Sequence, residues 1–275
     1  MILDFLIYVG KVLLLTLCVP MVCGLAAWLA ERLFVRLSGS GKFLYVSSVI
    51  GTPIHELGHA LMCLLFGHKI TEMKLLLPPN HPSGTLGYVS HSYNRKNLWA
   101  VLGNLFIGIG PIFSGLGVMI LALIFCFPVQ WNAYITNAWS LVAQGTVGVR
   151  EILDGVISLM LSMPAAFASC WWQALIGLVI ILCVAQHVTL SGADIKGSLS
   201  AFPLYLLLLL LFGGITALFG VQAAVLEGLW FFNLCLLSLF CLVIAFSAVW
   251  ILLALLIWCL RRVIRRFLKN KIKKN

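Results

Sequence analysis

Apolar runs of twenty or more residues alternate with short polar stretches along nearly the whole chain. Runs of that length predict membrane-crossing helices, because about 20 helical residues cover the hydrocarbon layer of a bilayer. About six spans are expected on this pattern, at roughly residues 5–30, 43–67, 98–127, 166–186, 202–223 and 229–260. The fold class is therefore all-α and polytopic, in a single membrane domain. Between the spans lie a Ser/Gly loop at 31–42, a longer polar stretch at 68–97, a mixed stretch at 128–165 and a short polar loop at 187–201. Residues 73–77 and 85–90 flank a Pro/Asn/Gly turn cluster and predict a short hairpin. The 128–165 stretch carries Trp131, Tyr134, Trp139, Arg150, Glu151 and Asp154; it reads as an interfacial or re-entrant helix.

Composition supports the membrane assignment. The chain has 275 residues, of which 62% are hydrophobic and only 9% charged, and its mean hydropathy is +1.10. A soluble domain carries about a quarter charged residues. The net charge is +10, much of it in the basic run at 261–275. Such a tail reads as a cytoplasmic anchor, able to meet anionic lipid, and no nucleic-acid-binding motif accompanies it. Counting back over six spans puts the N-terminus on the same side. The cations Arg32, Arg36 and Lys42 then face outward, in conflict with the charge rule. The nine cysteines form no CxxC pair and read as small buried hydrophobes, with neither a disulfide framework nor a cysteine zinc site. The first apolar run is too long for the core of a cleavable signal peptide.

The chemistry concentrates in the second span. His55-Glu56-Leu57-Gly58-His59 is an HExxH motif. Residues four apart share one helical face, so His55 and His59 can point at one metal ion. Two imidazoles at that spacing suit Zn2+, with Glu56 placed to take a proton from a water the metal activates. Three ionisable groups within an apolar span are costly unless they have a function. Pro53 just upstream is expected to open or kink the helix. The third ligand must come from few candidates, since the chain has eight acidic residues and six histidines. Asp194 is the first choice, His187 the second and Asp154 a distant third. Asp194 lies in a short polar loop with glycines on both sides; its competing role is a helix N-cap or a solvated carboxylate. His68 falls off the motif's face and reads as an interfacial histidine. His81 and His91 read as solvent-exposed. Asn104 reads first as an interhelical hydrogen-bond donor, and second as a group that positions a substrate carbonyl or an oxyanion.

Pro53-Ile-His55-Glu56-Leu-Gly58-His59-Ala60, followed by Phe66-Gly67, resembles the active-site helix of the site-2-protease family of intramembrane zinc metallopeptidases. Gly110-Pro111 is similar to a Gly-Pro segment of that family, and the Ala193-Asp194 loop resembles the place where its third ligand enters. Asp194 departs from the usual Asp-Gly form, being followed by Ile195. The resemblance covers residues 43–127 and 166–200 and implies a metallopeptidase core at about 43–200, with 201–260 as extra spans. It implies a minimal bacterial-type member, in the cell membrane, with no accessory domain. It also implies that a transmembrane protein or peptide substrate unwinds into the site, by strand addition to the hairpin, and that Glu56 is the general base.

Two other classes compete. One is a catalytically silent membrane protein that keeps the fold and serves as a binding or regulatory partner; it would be expected to lose Glu56 or a histidine, and all three remain. The other is a metal transporter, which should spread ionisable groups over several spans; Glu56 is the only strong intramembrane carboxylate. Substrate identity and oligomeric state leave no mark in the sequence.

Overall fold

The structure, a computed structural model, describes residues 2–38, 42–79, 81–82, 84–145 and 148–272. Helices α1 (Ile2–Leu13) and α2 (Val19–Ser38) are joined by a π-helical segment, Leu14–Cys18, and run as one span. The HExxH motif lies on α3 (Lys42–Leu65). The antiparallel strands β1 (Lys69–Lys74) and β2 (Tyr88–Ser92) follow. Then come α4 (Leu98–Cys126), α5 (Pro128–Ala143), α6 (Val149–Ser162), α7 (Pro164–Ala185), α8 (Gly192–Leu199), α9 (Phe202–Leu218) and α10 (Gln222–Ile272).

Among the described residues, four helices are long and apolar enough to cross a membrane: Ile2–Ser38, Leu98–Cys126, Pro164–Ala185 and Gln222–Ile264. Helices α8 and α9, bent by 57° at a short break, make a fifth if they count as one broken span. The motif helix is not among them, because His55, Glu56, His59, Thr52 and Pro53 dilute its apolar run. The outer surface is apolar: Leu207, Leu211 and Phe212 on α9 and Leu252 and Leu256 on α10 are all exposed. A soluble protein rarely leaves apolar patches of this extent in water. In a bilayer they face lipid, and the chain is a helical membrane protein.

Several expected boundaries move. Residues 31–38 continue α2 instead of forming a loop, and residues 39–41 lie outside the described residues. The 128–165 stretch is a pair of packed helices, α5 and α6. Helix α10 runs unbroken into the basic segment, and residues 273–275 lie outside the described residues. Strand pairing joins Lys69 to Ser92 and Lys74 to Tyr88, so the hairpin begins earlier on its first strand than the turn cluster implied. The ladder starts within a few residues of α3 because Gly67, at φ 70°, reverses the chain there.

The two ends of the bundle are defined by long-range contacts. Tyr8 donates to or accepts from Thr216 at 2.9 Å, and the cluster around Tyr8 includes Leu226 and Leu229 at the start of α10. At the other end, Arg261 on α10 donates to the Ser38 carbonyl at 2.9 Å. The first span and α10 therefore run parallel, and the start of α1 lies at the opposite end of the bundle from Arg261. This corrects the expectation that both termini share a side. It also removes the charge conflict, since Arg32 and Arg36 sit toward the end that carries Arg261 and Arg262.

Helices α3 and α4 pack together through glycines. A Cβ at Gly58 would stand 2.7 Å from the Gly110 carbonyl oxygen and 2.4 Å from Ser114 Oγ; one at Gly110 would stand 2.6 Å from the Gly58 oxygen. Backbones approach this closely only where side chains are absent. Pro53 and Pro111 are both accommodated inside continuous helices, and Gly110 marks a close crossing of α3 and α4.

Candidate metal centre

Helix α3 sets His55 and His59 one turn apart, with ring centroids 5.0 Å from each other. Each imidazole is fixed by a backbone carbonyl from another segment. His55 Nδ1–H donates to the His187 carbonyl at 2.9 Å, and His59 Nδ1–H donates to the Ile107 carbonyl at 2.7 Å. A carbonyl oxygen can only accept, so Nδ1 carries the proton on both rings. On the neutral rings each Nε2 then presents its lone pair to the interior of the site.

Asp194 meets those lone pairs. Its Oδ1 lies 3.3 Å from His59 Nε2 and its Oδ2 lies 3.9 Å from His55 Nε2. The ligand atoms of His55, His59 and Asp194 all lie within 4.8 Å of one another. Lone pairs and carboxylate oxygens repel at such distances unless a cation or proton stands between them. The donor set, two imidazoles and one carboxylate, fits a divalent ion such as Zn2+ with a position left open.

Asp194 also caps a helix. It is the N3 residue of α8: Ser191 Oγ accepts from Asp194 N, and Ser191 N donates to Asp194 Oδ2 at 2.7 Å. The carboxylate thus holds the helix start with one oxygen and faces His59 with the other. Ligand and cap, which the sequence offered as alternatives, are compatible. Gly108 lets α8 settle onto α4; a Cβ there would stand 2.7 Å from the Asp194 carbonyl and 1.9 Å from Ser198 Oγ.

The other candidates separate clearly. His187 Nε2 lies 3.1 Å from Ser47 Oγ, and its backbone carbonyl holds His55; the close ligand group is His55, His59 and Asp194. Its ring packs where Gly51 leaves space. Asp154 is on α6 beside Arg150, 3.7 Å away and largely exposed. His68 is buried, not interfacial, and His91 is half-buried on β2, not solvated. Burial pushes the His91 imidazole below the ordinary histidine range, with His68 and then His59 adding to the shift.

A cavity of about 790 Å³ opens onto the cluster, lined among others by His55, Glu56, His59, Asp194, Thr52 and Asn104. Glu56 is buried at its wall, against the backbone of residue 87. A Cβ at Gly87 would come 2.8 Å from Glu56 Cγ, so only glycine lets the run between turn and β2 lie this close. Residues 84–89 and His91 form one side of the cavity. Leu86 packs with Phe34 and Leu44, so this segment runs back along α3. Two buried polar atoms at the cavity, Thr52 Oγ1 and Asn104 Nδ2, have no hydrogen-bond partner among the described residues. Neither Thr52 nor Gly87 stands out in the sequence, because their role depends on what the fold sets opposite them. Asn104 is expected as an interhelical donor; its Nδ2 has no acceptor among the described residues. No protein-family model, curated protein or solved structure matches this chain.

Proposed function

We propose that this chain is an intramembrane zinc metallopeptidase of the site-2-protease type, hydrolysing peptide bonds of membrane-embedded substrates. The observation that carries the reading is the convergence of His55 Nε2, His59 Nε2 and the Asp194 carboxylate, each held from behind by a backbone group. Outer partners that fix the ring and its tautomer are typical of metal-ligating histidines. His55, His59 and Asp194 hold Zn2+, which when bound supplies Lewis acidity toward a carbonyl oxygen and toward water.

The chain's own groups divide the remaining work. Glu56, at the cavity wall beside the cluster, takes a proton from the attacking water and delivers it to the leaving amine. Asn104 Nδ2, an unpaired donor at the same cavity, donates to the oxygen of the scissile carbonyl as charge develops there. The segment 84–91 offers an extended backbone along which an unwound substrate lies. Unwinding is required because helical carbonyls are covered and hydrogen-bonded. Arg32, Arg36, Arg261 and Arg262 gather toward one end of the bundle, which is assigned to the cytoplasm. Helix α3 then counts as a further membrane element beside the four or five long apolar spans, in a bacterial cell membrane.

The test is zinc per chain in detergent-purified protein, followed by cleavage of a reconstituted transmembrane peptide. About one zinc at this cluster, lost in His59→Ala and in Asp194→Ala, with cleavage abolished and zinc kept in Glu56→Gln, is the expected result. Zinc without any Glu56-dependent cleavage would favour the silent-partner reading. Zinc unaffected by both ligand changes would overturn the metal centre.

A further inference from the structure

A second group of donor side chains lies one turn further along the motif helix. Cys63 follows His59 by four residues, so it shares the face of His55 and His59. It is fully buried. Gly67 then turns the chain, and His68 N–H donates to the Cys63 carbonyl at 2.8 Å. This folds His68 back over the last turn of α3. Strand β2 supplies His91, paired with Ile70 across the hairpin. The ligand atoms of Cys63, His68 and His91 all lie within 4.8 Å of one another.

The His68 ring is fixed in the same way as the rings of the first centre. Its Nε2–H donates to the Ala100 carbonyl at 2.7 Å, and the ring stacks on Tyr93 at 4.7 Å. Its Nδ1 lone pair therefore points inward, 2.9 Å from His91 Nδ1. A buried imidazole anchored through its far nitrogen to a carbonyl, facing a second imidazole and a thiol, has the surroundings of a metal ligand.

We propose that Cys63, His68 and His91 form a second metal site, taking a borderline or soft ion of the Zn2+ class through one thiolate and two imidazoles. Thiolate and imidazole donors select such ions over Mg2+ or Ca2+. Binding removes the Cys63 thiol proton, so one proton is released per ion. His91 stays neutral, its ring proton residing on Nε2 when Nδ1 is the ligand. The ion ties β2 to α3 and to the turn at His68. His91 also lines the large cavity, so occupancy fixes the wall formed by residues 84–91. The site stands independently of the peptidase reading; its influence on cleavage rests on that reading.

Cobalt substitution tests the proposal on the full chain, because a thiolate bound to Co2+ gives a near-ultraviolet charge-transfer band. The first centre has only nitrogen and oxygen donors and gives none. Wild type should bind about two ions and show the band. His59→Ala should keep the band and about half the metal, while Cys63→Ser and His91→Ala should each lose the band and keep the other half. His91→Ala guards against a fold effect of changing the buried Cys63, since His91 is only half-buried. In the His59→Ala background, metal should slow amide exchange on β2 by about tenfold or more relative to chelator. Wild type with no thiolate band and a metal content unchanged by Cys63→Ser would overturn the site, leaving His68 and His91 as a hydrogen-bonded pair. Failure of the first centre would show differently, as metal lost in Cys63→Ser but not in His59→Ala.

Discussion

Asp194 Oδ1 stands 3.3 Å from His59 Nε2, and both atoms are acceptors when the ring is neutral. On the neutral His59 ring the Nδ1–H bond to the Ile107 carbonyl sets the tautomer, so Nε2 turns its lone pair to the carboxylate. A cation or a second ring proton resolves the clash. The same carboxylate caps α8, which ties the position of its oxygens to the stability of an eight-residue helix.

That coupling separates two substitutions. Asp194→Asn keeps an acceptor for Ser191 N but loses the charge; Ser191→Ala keeps the charge but loses the cap. Ser191→Ala should cost about 1 kcal/mol of helix stability and weaken zinc binding about tenfold by loosening Asp194. Asp194→Asn should leave thermal unfolding of the chelated protein nearly unchanged and remove most zinc affinity. Zinc titrations paired with detergent melts check both; equal zinc affinity in Ser191→Ala and wild type would refute the coupling.

His187 distinguishes a side chain from a backbone. Its carbonyl orients His55, and its ring bonds Ser47. His187→Gln should therefore retain zinc stoichiometry while lowering stability by about 1–3 kcal/mol through its buried polar contacts. Loss of zinc with the melting temperature preserved would mean the ring is a ligand after all.

Gly58→Ala tests the crossing of α3 and α4. The new methyl would press on the Gly110 carbonyl, which cannot swing aside as a side chain can. A loss of about 1–3 kcal/mol is expected, outweighing the helix propensity gain of up to about 1 kcal/mol. Gly117→Ala, on the same α4 but with nothing near its added Cβ, should instead stabilise. Thermal unfolding of the two variants side by side should move in opposite directions.

Asn104 and Gly87 should affect turnover more than folding. Asn104 Nδ2 is buried without a partner among the described residues, so Asn104→Leu should fold as well as wild type or better. If its amide meets the developing oxyanion, kcat should fall about 100-fold with zinc retained.

Gly87→Ala should displace Glu56 or push the hairpin outward, since its Cβ would stand 2.8 Å from Glu56 Cγ and 2.9 Å from the Lys74 carbonyl. Zinc content should be unchanged and the cleavage rate reduced at least about tenfold. Single-turnover assays with matched zinc loading read this directly.

The membrane class, the motif helix and the identity of its two histidines were legible because each is a local pattern. Apolar run length sets bilayer crossing, and a spacing of four places His55 and His59 on one face. The choice of Asp194 rested on the scarcity of alternatives, and the structure brings it to the pair. Other features were not legible. His68 and His91 were read as interfacial and solvated because no local pattern joins residues on either side of a turn cluster; pairing across the hairpin joins them. The parallel course of the first and last spans was also hidden, since hydropathy counts crossings without recording which ends meet.

What the sequence determined by itself is chemistry that repeats along one helix and the preference of long apolar segments for lipid. Only the tertiary structure decided which carbonyl fixes each imidazole, which carboxylate oxygen faces His59, and that Gly87 can lie against Glu56. Those facts depend on groups far apart in the chain, and whether they meet is settled by backbone approach at Gly58, Gly108 and Gly110, where a missing Cβ sets the distance between elements.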